Sequence, residues 1–267
     1  MTTLASLQSL TGRRALITGG AGHIARVMAE TLAEMGADLV LVDQEAAPLD
    51  ALAAQLCQTW GRKVTRHVCD LEDEGCRAAL IDAVKADGEG VDILINNAAF
   101  VGTSGLKGWV VSFEEQSLDT WRRAFEVNLT AVFHLSQGFL PLLRASGKGS
   151  ILNIGSIYGE LGPDWGLYED TAMGSPAAYG TSKGGLFQFT RWLATTIAPD
   201  VRVNALAPGG VARGQPASFT EKYISRTPMG RMAIEDDFRG ATAYLTSDAS
   251  AYVTGQVLNV DGGWGTW

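Results

Sequence analysis

The 267-residue chain is 46% apolar, 8% aromatic and 19% charged, a balance that can bury a full-sized core and excludes intrinsic disorder. Lys and Arg number 21 against 29 Asp and Glu, a net charge of −8 that disfavours nucleic acid and anionic membranes as partners. Cys57, Cys69 and Cys76 show no Cys-x-x-Cys spacing and leave one thiol over in any pairing, which fits a reducing, cytoplasmic compartment.

No stretch approaches the ~18 uninterrupted apolar residues of a spanning helix, and residues 1–12 lack a basic start before an apolar run. Glycine, 32 of 267 residues or about 12% against ~7% ordinarily, has no three-residue period and points to tight turns.

In chain order, β-branched or aliphatic runs at 14–18, 38–43, 63–68, 93–96, 150–156, 201–207 and 257–260 alternate with longer helical patterns. The helix at 22–35 carries Ile24, Val27, Met28 and Leu32 on one stripe, and Gly36 ends it. Two further helices, at 118–144 and 177–198, are apolar around much of their circumference. Phe133 and Phe139 in one, and Phe187, Phe189 and Trp192 in the other, leave a face for a partner beyond the sheet. A homodimer or homotetramer follows, with a monomer of unusually apolar surface as the alternative. Such alternation predicts one α/β domain over 1–267, doubly wound, with a seven-stranded parallel sheet. No repeat, low-complexity tract or linker divides it. Loops at 159–176 and 208–220 follow strands, and so belong at the carboxyl edge where open α/β sheets bind ligands.

The run Thr18-Gly19-Gly20-Ala21-Gly22-His23-Ile24-Ala25 joins the first strand to the first helix. Glycines there allow a pyrophosphate close to the backbone, and the helix N-terminus offers free N–H groups and a positive dipole end. The second strand ends in Asp43, a little over twenty residues on, where a carboxylate can accept both hydroxyls of an adenosine ribose. Asp43 would repel a 2′-phosphate, so NAD is expected and NADP less so. Without the upstream glycines Asp43 would read as a solvated residue at a strand end.

Thr18-Gly19, Asp70-Leu71, Asn96-Asn97-Ala98-Ala99, Asn128, Ser156, Tyr179-Gly180-Thr181-Ser182-Lys183 and Pro208-Gly209 occur in order across nearly the whole chain. In this set the sequence resembles the short-chain dehydrogenase/reductase family, which implies a Rossmann fold and hydride transfer with a nicotinamide cofactor. Tyr179 and Lys183 stand four apart and project from one helical face. A phenol has an ordinary pKa near ~10, and a nearby ammonium favours the phenolate, so Tyr179 is expected to be the acid or base at the substrate oxygen. Ser156, at a strand end, would hold that oxygen.

The resemblance further implies that Asn128 anchors a water linking Lys183 to solvent. By the same likeness Asp70 bonds the adenine amino group, Leu71 packs near the ring, and Asn96, Asn97 and Ala98 line the adenosine side. Tyr179 and Lys183 also border the cofactor, with Lys183 reaching the nicotinamide ribose. Pro208, Gly209 and Val211 lie by the carboxamide, Val211 through its backbone. Taken singly, Ser156 reads as a strand-end hydroxyl, Asn128 as a helix-bend residue and Tyr179 as a packed aromatic.

Three departures stand out. His23 and Ala25 occupy positions where the family usually has glycine, so the turn is expected either to put its flexible residue at Gly22 or to bind pyrophosphate differently. Arg213 stands where threonine is frequent, giving either an anion-binding guanidinium or a solvent-exposed loop charge. Ser156 and Tyr179 are 179 − 156 = 23 positions apart, about ten more than is usual in the family the chain resembles. The extra segment at 160–170 combines aromatic rings and carboxylates suited to a hydroxyl-rich substrate, or serves as surface elaboration or an oligomer contact.

The stretches 155–159, 175–179, 226–232 and 261–264 are similar to a bacterial branch acting on sugars, including flagellar nonulosonic-sugar oxidoreductases and gluconate 5-dehydrogenases. The expected substrate is a sugar or polyol. The alternatives are an acyl-thioester or hydroxysteroid ketoreductase and a non-catalytic nucleotide-sensing regulator. The last class commonly lacks the tyrosine or lysine, and both are present here.

Overall fold

The computed structural model describes residues 2–101 and 106–267. Its first half runs α1 (Leu4–Gln8), β1 (Arg14–Thr18), α2 (His23–Glu34), β2 (Asp38–Asp43), α3 (Ala46–Trp60), β3 (Val64–Val68), α4 (Glu74–Ala86) and β4 (Ile93–Asn96). The second half runs α5 (Leu118–Phe125), α6 (Ala131–Ala145), β5 (Gly149–Ile154), α7 (Ala177–Ile197), β6 (Val201–Pro208), α8 (Ala217–Arg226), α9 (Arg239–Thr246) and β7 (Val257–Val260).

All seven strands pair in parallel in the order β3-β2-β1-β4-β5-β6-β7, the expected doubly wound Rossmann sheet in a single domain. Because side chains alternate across a strand, β1 sends Ile17 to one face and Leu16 to the other. Ile17 joins Met28, Leu32 and Phe238 in one core, while Leu16 joins Leu80, Phe139 and Leu193 in the second. Helices on both faces bury the central strands completely, which explains their continuous apolar runs.

The helix expected over 118–144 is interrupted. A π turn at Glu126–Thr130 separates α5 from α6, with the Ala131 N–H bonded to the Glu126 carbonyl five residues back. One extra residue shifts a 3.6-residue pattern by about 100°, but in a helix read as apolar around much of its circumference that shift does not show in the hydrophobic spacing. Side chains fix it: the Asn128 carboxamide accepts from Phe100 N at 2.7 Å and donates to Ser182 Oγ at 3.0 Å. Two element boundaries also differ from the expectation. β5 ends at Ile154 rather than Ser156, and α8 begins at Ala217, inside the stretch read as a loop to 220.

Phe133 and Trp192 are exposed on α6 and α7, joined by Phe189, whose ring lies 6.0 Å from Phe133 and 6.4 Å from Trp192. Among the described residues no helix is long and apolar enough to cross a membrane.

Candidate active site

After β3 the chain crosses the sheet to place β4 against the free side of β1, so the carboxyl ends of β1 and β4 diverge into a crevice. A cleft of about 780 Å³ opens there. Gly19 sits at its base with φ of +62°, and a Cβ on it would lie 2.9 Å from the Ala98 Cα. Glycine is therefore required on two counts, backbone conformation and close approach. The neighbouring loop is tied to β1, since Asn97 N and Ala98 N donate to Thr18 Oγ1 at 3.0 and 3.1 Å.

The left-handed residue of the turn is Gly19, which corrects the expectation that Gly22 takes this part. Gly22 has φ of −68° and caps α2 without a side-chain acceptor, leaving helix N–H groups unpaired at the cleft wall formed by Gly22, His23 and Ile24. Ala25 is fully buried beneath them and keeps the helix close to the sheet.

At the nucleotide end Asp43 lines the cleft, and its carboxylate accepts from Ala21 N at 2.9 Å and Gln44 N at 2.7 Å. It thus braces the glycine turn while facing the crevice. Leu71, Asn97 and Ala98 also line the cleft.

Asp70 and Asn96 are not among the lining residues. The exposed Asp70 carboxylate is held by Gln44 Nε2 at 2.8 Å and Glu72 N at 3.0 Å, and Gln44 lines the cleft beside it. Asn96 is buried in the sheet, donating to Asn153 Oδ1 at 2.9 Å, because strand alternation turns it away from the crevice.

At the opposite end Ser156, Tyr179 and Lys183 converge on the cleft. Ser156 lies two residues beyond β5 and caps a short turn by accepting from Tyr158 N at 3.2 Å. One turn of α7 separates Tyr179 from Lys183 and puts the lysine Nζ 6.0 Å from the phenol ring centre. Lys183 is buried and donates to Ile154 O at 2.8 Å.

The expected acidic phenol is not found among the chain's own groups. Burial pushes Tyr179 above its ordinary value, against a smaller downward pull from the Ser156 hydroxyl. Desolvation pushes the Lys183 amine down to about 8. The amine therefore pays for its burial more than it acidifies its neighbour.

Asn128 is fully buried and does not line the cleft; its side chain is taken up by Phe100 and Ser182. Pro208, Gly209 and Val211 do line it. Arg213 borders the cleft as well, and its Nε pairs with Glu235 at 3.2 Å.

The segment at 160–170 turns two carboxylates to α8, where Asp164 pairs with Arg226 and Glu169 with Lys222, while its Glu160 accepts from Asn259 Nδ2 at 3.0 Å. Its Tyr168 bonds Tyr158 through the two hydroxyls and packs on Phe219. Sequence spacing missed a further cleft feature, the Glu72–Arg123 pair, in which Arg123 Nε lies 2.8 Å from the carboxylate and the guanidinium stacks on Phe100. These partners are 51 positions apart, and no local pattern links them.

Residues 19–265 match a family model described as enoyl-(acyl carrier protein) reductase. A tropinone reductase homolog of Arabidopsis thaliana is 36% identical over 96% of this chain and 93% of its own length. The galactitol 2-dehydrogenase (L-tagatose-forming) of Cereibacter sphaeroides is 36% identical over 97% of each chain. A gluconate 5-dehydrogenase structure from Burkholderia cenocepacia, in complex with NADP and tartrate, aligns with a TM-score of 0.86 and 31% identity, covering 99% of this chain and 100% of that one.

Proposed function

The chain belongs to the short-chain dehydrogenase/reductase family, and from that premise we propose that it moves a hydride between a nicotinamide cofactor and a secondary alcohol or ketone of a sugar or polyol. The observation that carries this reading is the meeting of Ser156, Tyr179 and Lys183 in the same cleft as the glycine turn. The similarity to galactitol and gluconate dehydrogenases supports the substrate class.

The residues present fit a dinucleotide. The uncapped start of α2 at Gly22, His23 and Ile24 suits a pyrophosphate, and Gly19 lets it approach. Leu71, Asn97 and Ala98 would border the adenosine, and the backbone at Pro208, Gly209 and Val211 the carboxamide. A bound cofactor supplies or takes up the hydride and, when oxidised, brings a positive charge to the reacting end.

In the reducing direction the protonated Tyr179 hydroxyl gives its proton to the substrate oxygen, and its raised pKa keeps that proton available at neutral pH. The Ser156 hydroxyl holds the same oxygen as negative charge develops on it. Lys183 spends one N–H on Ile154 O and keeps the others for ribose hydroxyls. Asn128 belongs to the proton path from Lys183 to solvent, a role supported by its bond to Ser182, the lysine's neighbour.

Asp43 at the ribose position favours NAD, whereas the NADP bound in the similar gluconate 5-dehydrogenase makes the comparison of both cofactors decisive. The exposed Phe133 and Trp192, bridged by the partly buried Phe189, support a homodimer or homotetramer, and the three free thiols a cytoplasmic setting. Light scattering is expected to return two or four protomer masses; one protomer mass removes the oligomer.

The function itself is tested by assaying sugars, polyols, acyl thioesters and steroid ketones with NADH and NADPH by nicotinamide absorbance. Turnover confined to sugars and polyols is the expected result. Turnover confined to thioesters or steroids overturns the substrate class, and cofactor binding without turnover on any carbonyl overturns the enzyme.

A further inference from the structure

Two parts of the chain, the extra segment at 160–170 and the backbone at 208–211, meet through one buried phenol. Tyr223 of α8 is 2% exposed, and its Oη accepts from Gly210 N at 2.6 Å. The ring lies flush against that glycine, for a Cβ on Gly210 would stand 2.7 Å from the Tyr223 Cζ. Trp264 stacks on the ring at 5.6 Å and 16°. Burial pushes the phenol up to about 12, so its oxygen stays a neutral acceptor.

α8 is itself clamped. Lys222 Nζ donates to Gly166 O at 2.8 Å and pairs with Glu169, while Arg226 pairs with Asp164 and lies 4.3 Å above the Trp264 ring. Gly210 is flanked by Gly209 and Val211, which face the cleft. Any shift of α8 is therefore passed to this backbone through a hydrogen bond and a glycine–ring contact.

We propose that Tyr223 is a positioning residue that sets the 208–211 backbone for the nicotinamide half of the cofactor, and that the 160–170 segment acts as a strut holding Tyr223 in place. This rests on the cofactor reading given above. It assigns the extra segment a mechanical part in cofactor placement, exerted from outside the cleft.

ADP-ribose separates the two ideas, since it carries the adenosine and both phosphates but no nicotinamide. Wild type, Tyr223→Phe and Asp164→Asn would be titrated calorimetrically with NADH, NADPH, ADP-ribose and 2′-phospho-ADP-ribose. Tyr223→Phe keeps the ring and removes the acceptor, and is expected to weaken the whole cofactor about five- to tenfold, while the matching ADP-ribose stays within about twofold. Asp164→Asn is expected to show the same selectivity at about two- to threefold, as suits a half-exposed ion pair.

Unchanged cofactor affinity in Tyr223→Phe overturns the positioning role. An equal loss for cofactor and ADP-ribose also overturns it, because the effect is then general to the fold. Unchanged selectivity in Asp164→Asn removes the strut. A wild type that binds none of the four ligands overturns the cofactor reading itself, and the inference with it.

Discussion

The two ends of the cleft are held by different means. At the nucleotide end the surface offered to a ligand is largely main chain, steadied from behind: Gly19 is pressed against Ala98, the Asn97 and Ala98 N–H groups donate to the Thr18 hydroxyl, and the Asp43 carboxylate braces Ala21 N. At the reacting end side chains dominate, with Lys183 on Ile154 O, Tyr223 on Gly210 N and the ion pairs of α8 against 160–170. A main-chain cradle recognises what all dinucleotides share, whereas a side-chain frame can be altered residue by residue. The first end suits an invariant ligand and the second a substrate that differs between relatives.

The contrast is broken most severely at Tyr179. Tyr179→Phe is expected to lower turnover by about 10²–10⁴-fold, the worth of a positioned acid or base, while NADH titration still shows binding. Lost binding with the chemistry intact would assign the tyrosine to the nucleotide end instead.

Asp43 probes the other end. Asp43→Asn keeps the shape and removes the charge, and is expected to shift the NADH to NADPH preference toward NADPH by about tenfold, or ~1.4 kcal/mol. A preference unchanged in the ratio of kcat/KM values removes Asp43 as the selecting residue.

Lys183 gives a subtler signature, in pH. Its amine releases its proton near 8 in the folded chain against 10.5 in the unfolded one, so between these values the unfolded state binds more protons. Stability contributed at this site therefore rises with pH across that window, reaching a slope of up to ~1.4 kcal/mol per pH unit. Urea melts at pH 7, 8, 9 and 10 should show wild type gaining on Lys183→Met across that range. A constant difference would mean that the amine stays charged when buried.

The sheet was legible because its central strands are buried on both faces and so read as apolar runs, as at 14–18, 93–96 and 201–207. The glycine turn was legible because its demands are local: a strand, a left-handed residue and a helix start lie within a few positions. The direction of Asn96 was not legible, because a motif gives order along the chain without giving the direction of each side chain. The pleat turns Asn96 toward Asn153, and Gln44, which lines the cleft, bonds the Asp70 carboxylate beside it.

The effect of burial on Tyr179 was not legible for a different reason. A lysine four residues away is visible in sequence, but the desolvation that raises the phenol and depresses the amine belongs to the assembled fold. Contacts such as Glu72–Arg123 and Tyr223–Gly210 join distant or irregular stretches, and periodicity carries no information about them.

The π turn at Glu126–Thr130 has a consequence for how this protein can change. By lodging one surplus residue between α5 and α6, it lets each helix keep its own rotational setting along a shared path. Deleting a single residue there would restore an ordinary helix with α5 and α6 still in register, because the wide turn is what absorbs the surplus residue. The cost would fall on the turn itself: Asn128 would lose its setting against Phe100 and Ser182, while Phe139 would keep its place in the core.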